Sequence, residues 1–400
     1  MAEKKSFSKT KKNWIFNDAV FRNILIILIL SRIFIFFVGY AGINFLPEGP
    51  AYNHDISKSS FLNSWSQYDA AAYIDIAEKG YNQEYMNGAG NYNWFPFYSV
   101  VIKAFGFIGY PLAAFLISNI CLLFAVYFLY LLLKKEFDRS LAFKTIFYML
   151  IFPTTYFFSA MYTESLFLLL MVLCFYFANK RSWLAVGIVG FCASLTRPQG
   201  VFIYIPMLYQ YLAQKGVFIG WKINRKFRMK DVLKKFDAGF FYLLLIPFGL
   251  VCLFAYFYFS FGNPLKFLEI PLFNRHIAVP FTAVFYEISR LTSLSLPSLL
   301  YMIFDLGIVF LFGILTVFSL KYLNPKYSLF LLVNYLIPLS SNRLEAESRY
   351  FLILFPAFLV LAMLQKKRKW LQILVSIGIV ASILLLIALT LWHTHGGIVF

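Results

Sequence analysis

Acidic residues are scarce in this chain: 18 Asp and Glu stand against 36 Lys and Arg, and charged residues make up only 14% of the sequence. No Asp-x-Asp pair occurs, and His54, His276, His393 and His395 are too scattered to propose a metal site, so the sequence demands neither metal nor cofactor. Cys121, Cys174, Cys192 and Cys252 lack paired spacing, which argues against a disulfide framework or a zinc motif and leaves them as buried apolar residues. A Gly-rich phosphate loop, internal repeats and low-complexity linkers are also missing. The first absence argues against a nucleotide-binding domain, and the others favour one unit over 1–400.

What is abundant is apolar surface. Hydrophobic residues make up 61% of the chain and aromatics 21%, more than a soluble domain can hide, so the sequence predicts an all-α, polytopic membrane bundle. Apolar runs lie near 20–40, 109–133, 141–158, 161–179, 183–197, 199–213, 239–261, 296–320, 327–340, 350–365 and 370–391. At about 20 residues per crossing they predict about eleven spans, several of them short. The segment 95–108 reads as a re-entrant or interfacial helix, or as loop. The first run has no small-residue cleavage signature, so the expectation is an uncleaved anchor.

Alternating these spans from a cytoplasmic N-terminus puts most of the 36 basic residues on one side, as the positive-inside rule requires. The expected layout has a basic cytoplasmic tail over 1–19, an outer loop over 41–95, a basic cytoplasmic loop over 214–238 and an outer loop over 262–295. The same layout explains the net charge of +18 without nucleic acid, because the basic clusters cap separate helix ends and contact anionic lipid. The stretch KINRKFRMKDVLKK is expected to lie on the membrane surface as an amphipathic helix.

The densest acidic group, Asp69, Asp75, Glu78 and Glu84, falls in the first outer loop. Within SQYDAAAYIDIAEKGY, residues Ala70, Tyr73, Ile74, Ala77 and Tyr81 recur at helical spacing, which predicts an amphipathic helix at the membrane interface. Asp75 and Lys79 form an i,i+4 pair on its wet face, where Asp75 and Glu78 read as solvated. Asp69 has two readings: a helix N-cap, or a general base at a cavity mouth, where partial burial would tune a carboxylate for proton transfer.

Three more patches reach the same outer rim. FSAMYTESLF places Tyr162 and Glu164 at a turn, and a carboxylate at membrane depth needs a partner. SLTRPQG places Arg197 where Pro198 and Gly200 break the helix, and SNRLEAESRYF supplies Arg343, Glu345, Glu347 and Arg349. Arginine forks from distant segments suit a lipid-linked phosphate; the plainer reading is snorkelling or ion pairing, Arg197 with Glu164 and Arg349 with Glu345. His276, in NRHIAVP, is either a substrate contact or a plain loop residue, and residues 93–96 either shape a sugar pocket or seat a helix at the interface.

The strings YDAAAYIDIAEKGYNQE, NWFPFYSVV, FPTTYFFSAMYTESLFLLL and SLTRPQG, followed by FGNPLKFLE and SRYFLILFP, together resemble the PIG-V family of membrane mannosyltransferases over roughly 65–360. The order matches that family's Trp-Asp, Ile-Ala-x-x-Gly-Tyr, aromatic-Pro, Tyr-(Ser/Thr)-Glu and Thr-Arg-x-x-Gly elements. Tyr68 stands where the family usually has Trp, Ser99 where the aromatic-Pro segment usually ends in Pro, and Asn263 where Asp is usual. The resemblance implies a GT-C glycosyltransferase fold with Asp69 catalytic and Tyr162, Glu164, Arg197 and Arg349 at motif positions; Glu84 and His276 join them as substrate-binding candidates.

The expected partners are a polyprenyl- or dolichyl-phosphate sugar donor, mannose above all, a glycolipid or glycan acceptor, the bilayer, and a partner subunit in some settings. Transfer would be inverting, on the outer face of a plasma membrane, or of the ER if the source is eukaryotic; the Lys, Ile, Asn and Phe bias points to an AT-rich microbial genome. The rival expectation is a lipid or sugar transporter or flippase, for which Arg32 and Asp305 are the clear mid-span charges.

Overall fold

A computed structural model describes residues 18–49, 56–224, 237–268, 276–293, 295–344, 346–366 and 369–397. The first helix, α1 (Ala19–Phe45), opens on Asp18, whose side chain accepts from the Val20 amide. Asp18 also accepts from the Tyr130 hydroxyl at 2.7 Å and lies 3.7 Å from both Lys134 and Arg139. Burial works against its charge, but Tyr130, Arg139 and Lys134 outweigh burial and hold the carboxyl below its usual range. One acid therefore starts α1 and ties it to the chain that follows the second long helix.

Beyond α1 come three short helices, α2 (Ser60–Ser64), α3 (Asp69–Lys79) and α4 (Tyr85–Gly88), then α5 (Pro96–Ala104) and a 3₁₀ turn, Gly106–Ile108. The segment 95–108 is thus helical. Next are α6 (Tyr110–Glu136), α7 (Arg139–Leu150), α8 (Glu164–Asn179), α9 (Trp183–Ser194) and α10 (Tyr204–Gln214). A small antiparallel hairpin, β1 (Phe218–Ile219) and β2 (Lys222–Ile223), precedes α11 (Ala238–Leu243) and α12 (Leu245–Phe261). The last six helices are α13 (Thr282–Arg290), α14 (Leu296–Tyr322), α15 (Pro325–Leu336), α16 (Glu347–Phe351), α17 (Phe355–Gln365) and α18 (Lys369–Thr394).

Among the described residues, five helical stretches are long and apolar enough to cross a membrane: α1, α6, α11 with α12, α14 and α18. The expectation of about eleven spans is therefore not confirmed. Every predicted run is largely helical, but α7, α9 and α15 have 12 residues and α10 and α17 have 11. A 12-residue helix is about 18 Å long, short of the roughly 30 Å hydrocarbon core. Several predicted runs join a short helix to an irregular turn: 141–158 contains α7 and then a 3₁₀ turn, Thr155–Phe158, while 199–213 contains the end of another, Pro198–Ile203, before α10. The predicted surface helix over KINRKFRMKDVLKK begins as β2, and its 225–235 portion lies outside the described residues.

Large apolar side chains such as Phe37, Val317, Phe259 and Ile377 point outward from the long helices, as lipid-facing surface should. Lipid gives helices little hydrophobic reason to associate, so close approach and polar contacts do much of the joining. At the end of the bundle opposite the first loop, Lys326 donates to Glu136 at 2.7 Å and to Asn179 at 2.9 Å, and the Tyr327 hydroxyl donates to Glu136 at 2.9 Å. That staple joins α15 to α6 and α8. Aromatic packing continues inward from it, with Phe175 against Tyr327, Phe330 and Phe355 at 5.0, 5.4 and 5.7 Å.

Candidate active site

The chain enters α3 through a constrained turn. Trp65 is fully buried, its carbonyl accepts from the Met161 amide at 3.0 Å, and the Gln67 carbonyl accepts from the Tyr162 hydroxyl at 2.6 Å. Tyr68 follows with φ 52°, a conformation that costs a bulky L residue energy, and its hydroxyl donates to the Gly397 carbonyl beyond α18. Asp69 is then the first residue of α3, with Tyr68 as its N-cap and no side-chain capping bond. The N-cap reading of Asp69 is thereby corrected: its carboxylate is used elsewhere.

The predicted apolar stripe of α3 is buried, with Ala70, Tyr73, Ile74 and Ala77 packed inward, but it faces α5 and α6 instead of membrane. Ser99 donates to the Tyr73 carbonyl at 2.8 Å across that seam. Asp75 also departs from its solvated reading. It pairs with Lys79 at 2.9 Å as expected, yet it also accepts from Asn82 and Asn91, both at 2.8 Å. Two side-chain amides fold the next loop over the acid, a link that helical periodicity cannot reveal.

The four charges expected at the rim meet. Arg349 donates from Nη1 to Asp69 Oδ2 at 2.6 Å and from Nε to Glu164 Oε1. Arg197 donates from Nη1 to the same Glu164 oxygen at 2.9 Å. The result is an alternating ladder, Asp69–Arg349–Glu164–Arg197, with two charges of each sign. Its inner rungs are buried, Glu164 at 0% and Arg197 at 6% side-chain exposure, whereas Asp69 is 32% exposed. Asp69 is therefore the solvent-reachable end of the ladder. The expected Arg197–Glu164 pair is present, whereas the Arg349–Glu345 pairing falls on Glu345, which lies outside the described residues.

Aromatic faces hold the guanidinium groups in place. Arg349 sits 4.4 Å over the Tyr162 ring and 5.2 Å over Phe157; Arg197 sits 4.8 Å over Tyr350. Burial opposes the Arg349 charge, but Glu164 and Asp69 overcome it and hold the group well above its ordinary range, so it stays cationic. Among the described residues, Arg349 Nη2 and Arg197 Nε and Nη2 make no hydrogen bond, leaving donors for an anion. Tyr162 thus supplies both a hydroxyl anchor and a ring under Arg349.

Irregular backbone places these groups, and each irregular stretch is held by polar contacts. Arg32 of α1 donates to the Thr155 carbonyl at 3.0 Å, to Thr155 Oγ1 at 3.2 Å and to Ser159 Oγ at 3.2 Å, fixing the 3₁₀ turn that leads to Tyr162 and Glu164. After Arg197 the chain folds back under α9. A Cβ added at Gly200 would lie 2.0 Å from the Ala193 carbonyl oxygen, so only glycine fits that return.

Two proposed substrate contacts stand apart from the ladder. Glu84 is exposed; the neighbouring Tyr85 is the residue turned toward the acids, its hydroxyl pushed up by burial and then by Asp69 and Asp75. His276 is exposed and exchanges hydrogen bonds with Asn342, its amide donating to the side-chain oxygen at 2.9 Å. His393 is a feature that sequence reasoning did not single out. It is fully buried, neither ring nitrogen has a hydrogen-bond partner, and it lies within 5.0 to 6.1 Å of Tyr156, Phe157, Tyr68 and Tyr162.

No group of three or more His, Cys, Asp or Glu able to hold a metal ion occurs among the described residues. The geometry offers a solvent-reachable carboxylate for proton transfer beside two buried cations with spare donors. No family model matches the chain, and no curated protein matches it. Among solved structures it is similar to the Archaeoglobus fulgidus oligosaccharyltransferase in the apo form, at 12% identity and TM-score 0.48, over 94% of this chain and 56% of that one. It is also similar to archaeal oligosaccharyltransferase AglB from Archaeoglobus fulgidus in complex with an inhibitory peptide and a dolichol-phosphate, at 12% identity and TM-score 0.46, over 96% of this chain and 57% of that one. The chain spans little more than half the length of these proteins.

Proposed function

We propose that the chain is a membrane glycosyltransferase of GT-C type that moves a sugar, mannose by preference, from a polyprenyl-phosphate donor to a lipid- or glycan-linked acceptor on the outer face of a plasma membrane. The observation that carries this reading is the ladder itself: four charges from four distant segments converge, with the carboxylate at the open end and the guanidinium groups inside. The ordered motif resemblance to PIG-V mannosyltransferases supports the choice of sugar and donor.

Asp69 takes the proton from an acceptor hydroxyl as the oxygen attacks the anomeric carbon from the face opposite the leaving group. The bond from that carbon to the phosphate oxygen breaks, its electron pair leaves on the polyprenyl phosphate, and the sugar is transferred with inversion. Arg349 and Arg197 receive the growing phosphate charge through their spare donors. An arriving phosphate also competes with Asp69 for Arg349, which frees the carboxylate as the donor seats.

The transporter reading loses its main support, because Arg32 is committed to protein backbone and hydroxyls and Asp305 to backbone amides, instead of lining a path. The test is transfer of labelled mannose from polyprenyl-phosphate mannose into membrane lipid extract by the full chain in vesicles. Labelled product with inverted anomeric configuration supports the proposal. Passage of the intact donor across the bilayer without product would replace it with transport.

A further inference from the structure

Asp305 lies within α14, one of the helices long enough to span the membrane, and it is 1% exposed. It touches no member of the charged ladder. Its two oxygens accept instead from consecutive backbone amides at the start of α16: Oδ2 from Glu347 at 2.9 Å and Oδ1 from Ser348 at 3.0 Å. The next residue is Arg349, the guanidinium that joins Asp69 to Glu164.

This arrangement replaces a local cap by a remote one. The residue before α16, Ala346, has φ 54°, a left-handed conformation, and offers no side-chain cap. Two amides that begin a helix cannot be satisfied from within it, and left bare in an apolar interior they would cost stability. A carboxylate from another helix satisfies both and fixes the direction in which the five-residue α16 leaves. Other contacts complete the clamp: Thr154 donates to the Ser348 carbonyl at 3.1 Å, and Phe351 stacks on Phe312 of α14 at 5.2 Å. Both Asp305 and Phe312 belong to α14, so this helix holds α16 before and after Arg349.

We infer that Asp305 is a positioning residue for Arg349: by capping α16 from α14 it aims the guanidinium at Asp69 and Glu164. The inference rests on the reading of Arg349 as a donor-phosphate contact only for its effect on transfer. Its structural content stands without that reading.

The test compares wild type with Asp305→Ala and with Asp305→Asn, which keeps one acceptor oxygen, using the full chain in detergent or nanodiscs. Two readouts are independent of catalysis: amide hydrogen exchange over 346–352, and the rate at which a dicarbonyl reagent modifies Arg349. Asp305→Ala should speed exchange at Glu347 and Ser348 at least about tenfold and expose Arg349 to the reagent, with α14 exchange unchanged and Asp305→Asn intermediate. Transfer should then fall in kcat and be partly rescued by Asp305→Asn. Unchanged exchange and reagent rate in Asp305→Ala would overturn the inference. So would a general rise in exchange over α14 and α16 in both variants, which would make Asp305 a fold determinant only. If wild type transfers no sugar, the catalytic reading fails while exchange and labelling still decide the role of Asp305.

Discussion

Arg349 reaches Asp69 across 280 residues of sequence and lies 2.6 Å from its Oδ2. Through the same guanidinium it holds Glu164, so one planar fork spans a half-buried and a buried carboxylate. Lysine carries the charge but lacks the fork. Arg349→Lys should therefore fold while losing one of the two contacts, with turnover down about tenfold or more, since about 1.4 kcal/mol of lost transition-state stabilisation suffices for that factor. Steady-state kinetics with polyprenyl-phosphate mannose checks it; wild-type turnover would show that the fork is dispensable.

Glu164 has two buried cations on one oxygen and no water-facing surface. Removing its charge strands Arg197 and leaves Arg349 with Asp69 alone, and breaking a buried pair from one side costs about 3–5 kcal/mol. Glu164→Ala should lower the thermal midpoint in detergent well beyond Asp69→Asn, because Asp69 lies at the exposed end. Equal midpoints would mean that the ladder is not a stability element.

Gly200→Ala should disturb the turn after Arg197, because the new methyl would meet a backbone oxygen that cannot rotate away. Overpacking of this kind typically costs about 1–3 kcal/mol. The expected outcome is a lower thermal midpoint together with weaker retention of polyprenyl phosphate. A variant indistinguishable from wild type in both would contradict the close approach at Ala193.

Lys326→Met provides the opposite pattern. The substitution removes the cation of the staple at the far end of the bundle, leaving Glu136 with Tyr327 and Asn179, for a cost of about 1–3 kcal/mol. Thermal stability should drop, while polyprenyl-phosphate affinity and KM remain as in wild type. A selective change in KM would indicate that the two ends of the bundle are coupled.

The sequence made the members of the ladder legible because each sits in a short polar island within apolar surroundings, and a charge at membrane depth needs a partner. It made one pairing legible, Arg197 with Glu164, but not the two that Arg349 makes. Arg349 takes its partners from 280 and 185 residues upstream, contacts that only tertiary folding decides. Asp75 was assigned to water by its helical angle, and Asn82 and Asn91 overrode that angle by folding a loop across it. Hydropathy found the helical stretches but could not distinguish a crossing from a half-length helix ending in a 3₁₀ turn. The mid-span charges Arg32 and Asp305 are visible, yet their partners are backbone groups and hydroxyls, which have no sequence signature.

The most direct test of the account is single-turnover release of polyprenyl phosphate from polyprenyl-phosphate mannose, with acceptor lipid present, by wild type and by Asp69→Asn in matched vesicles. Asn preserves the shape of the side chain and an acceptor for Arg349 but is far too weak a base. The account predicts rapid release and mannosylated product from wild type, a fall of about 10²–10⁴-fold in the variant, and a thermal midpoint close to that of wild type. Release by Asp69→Asn at the wild-type rate would contradict the assignment of Asp69 as the base.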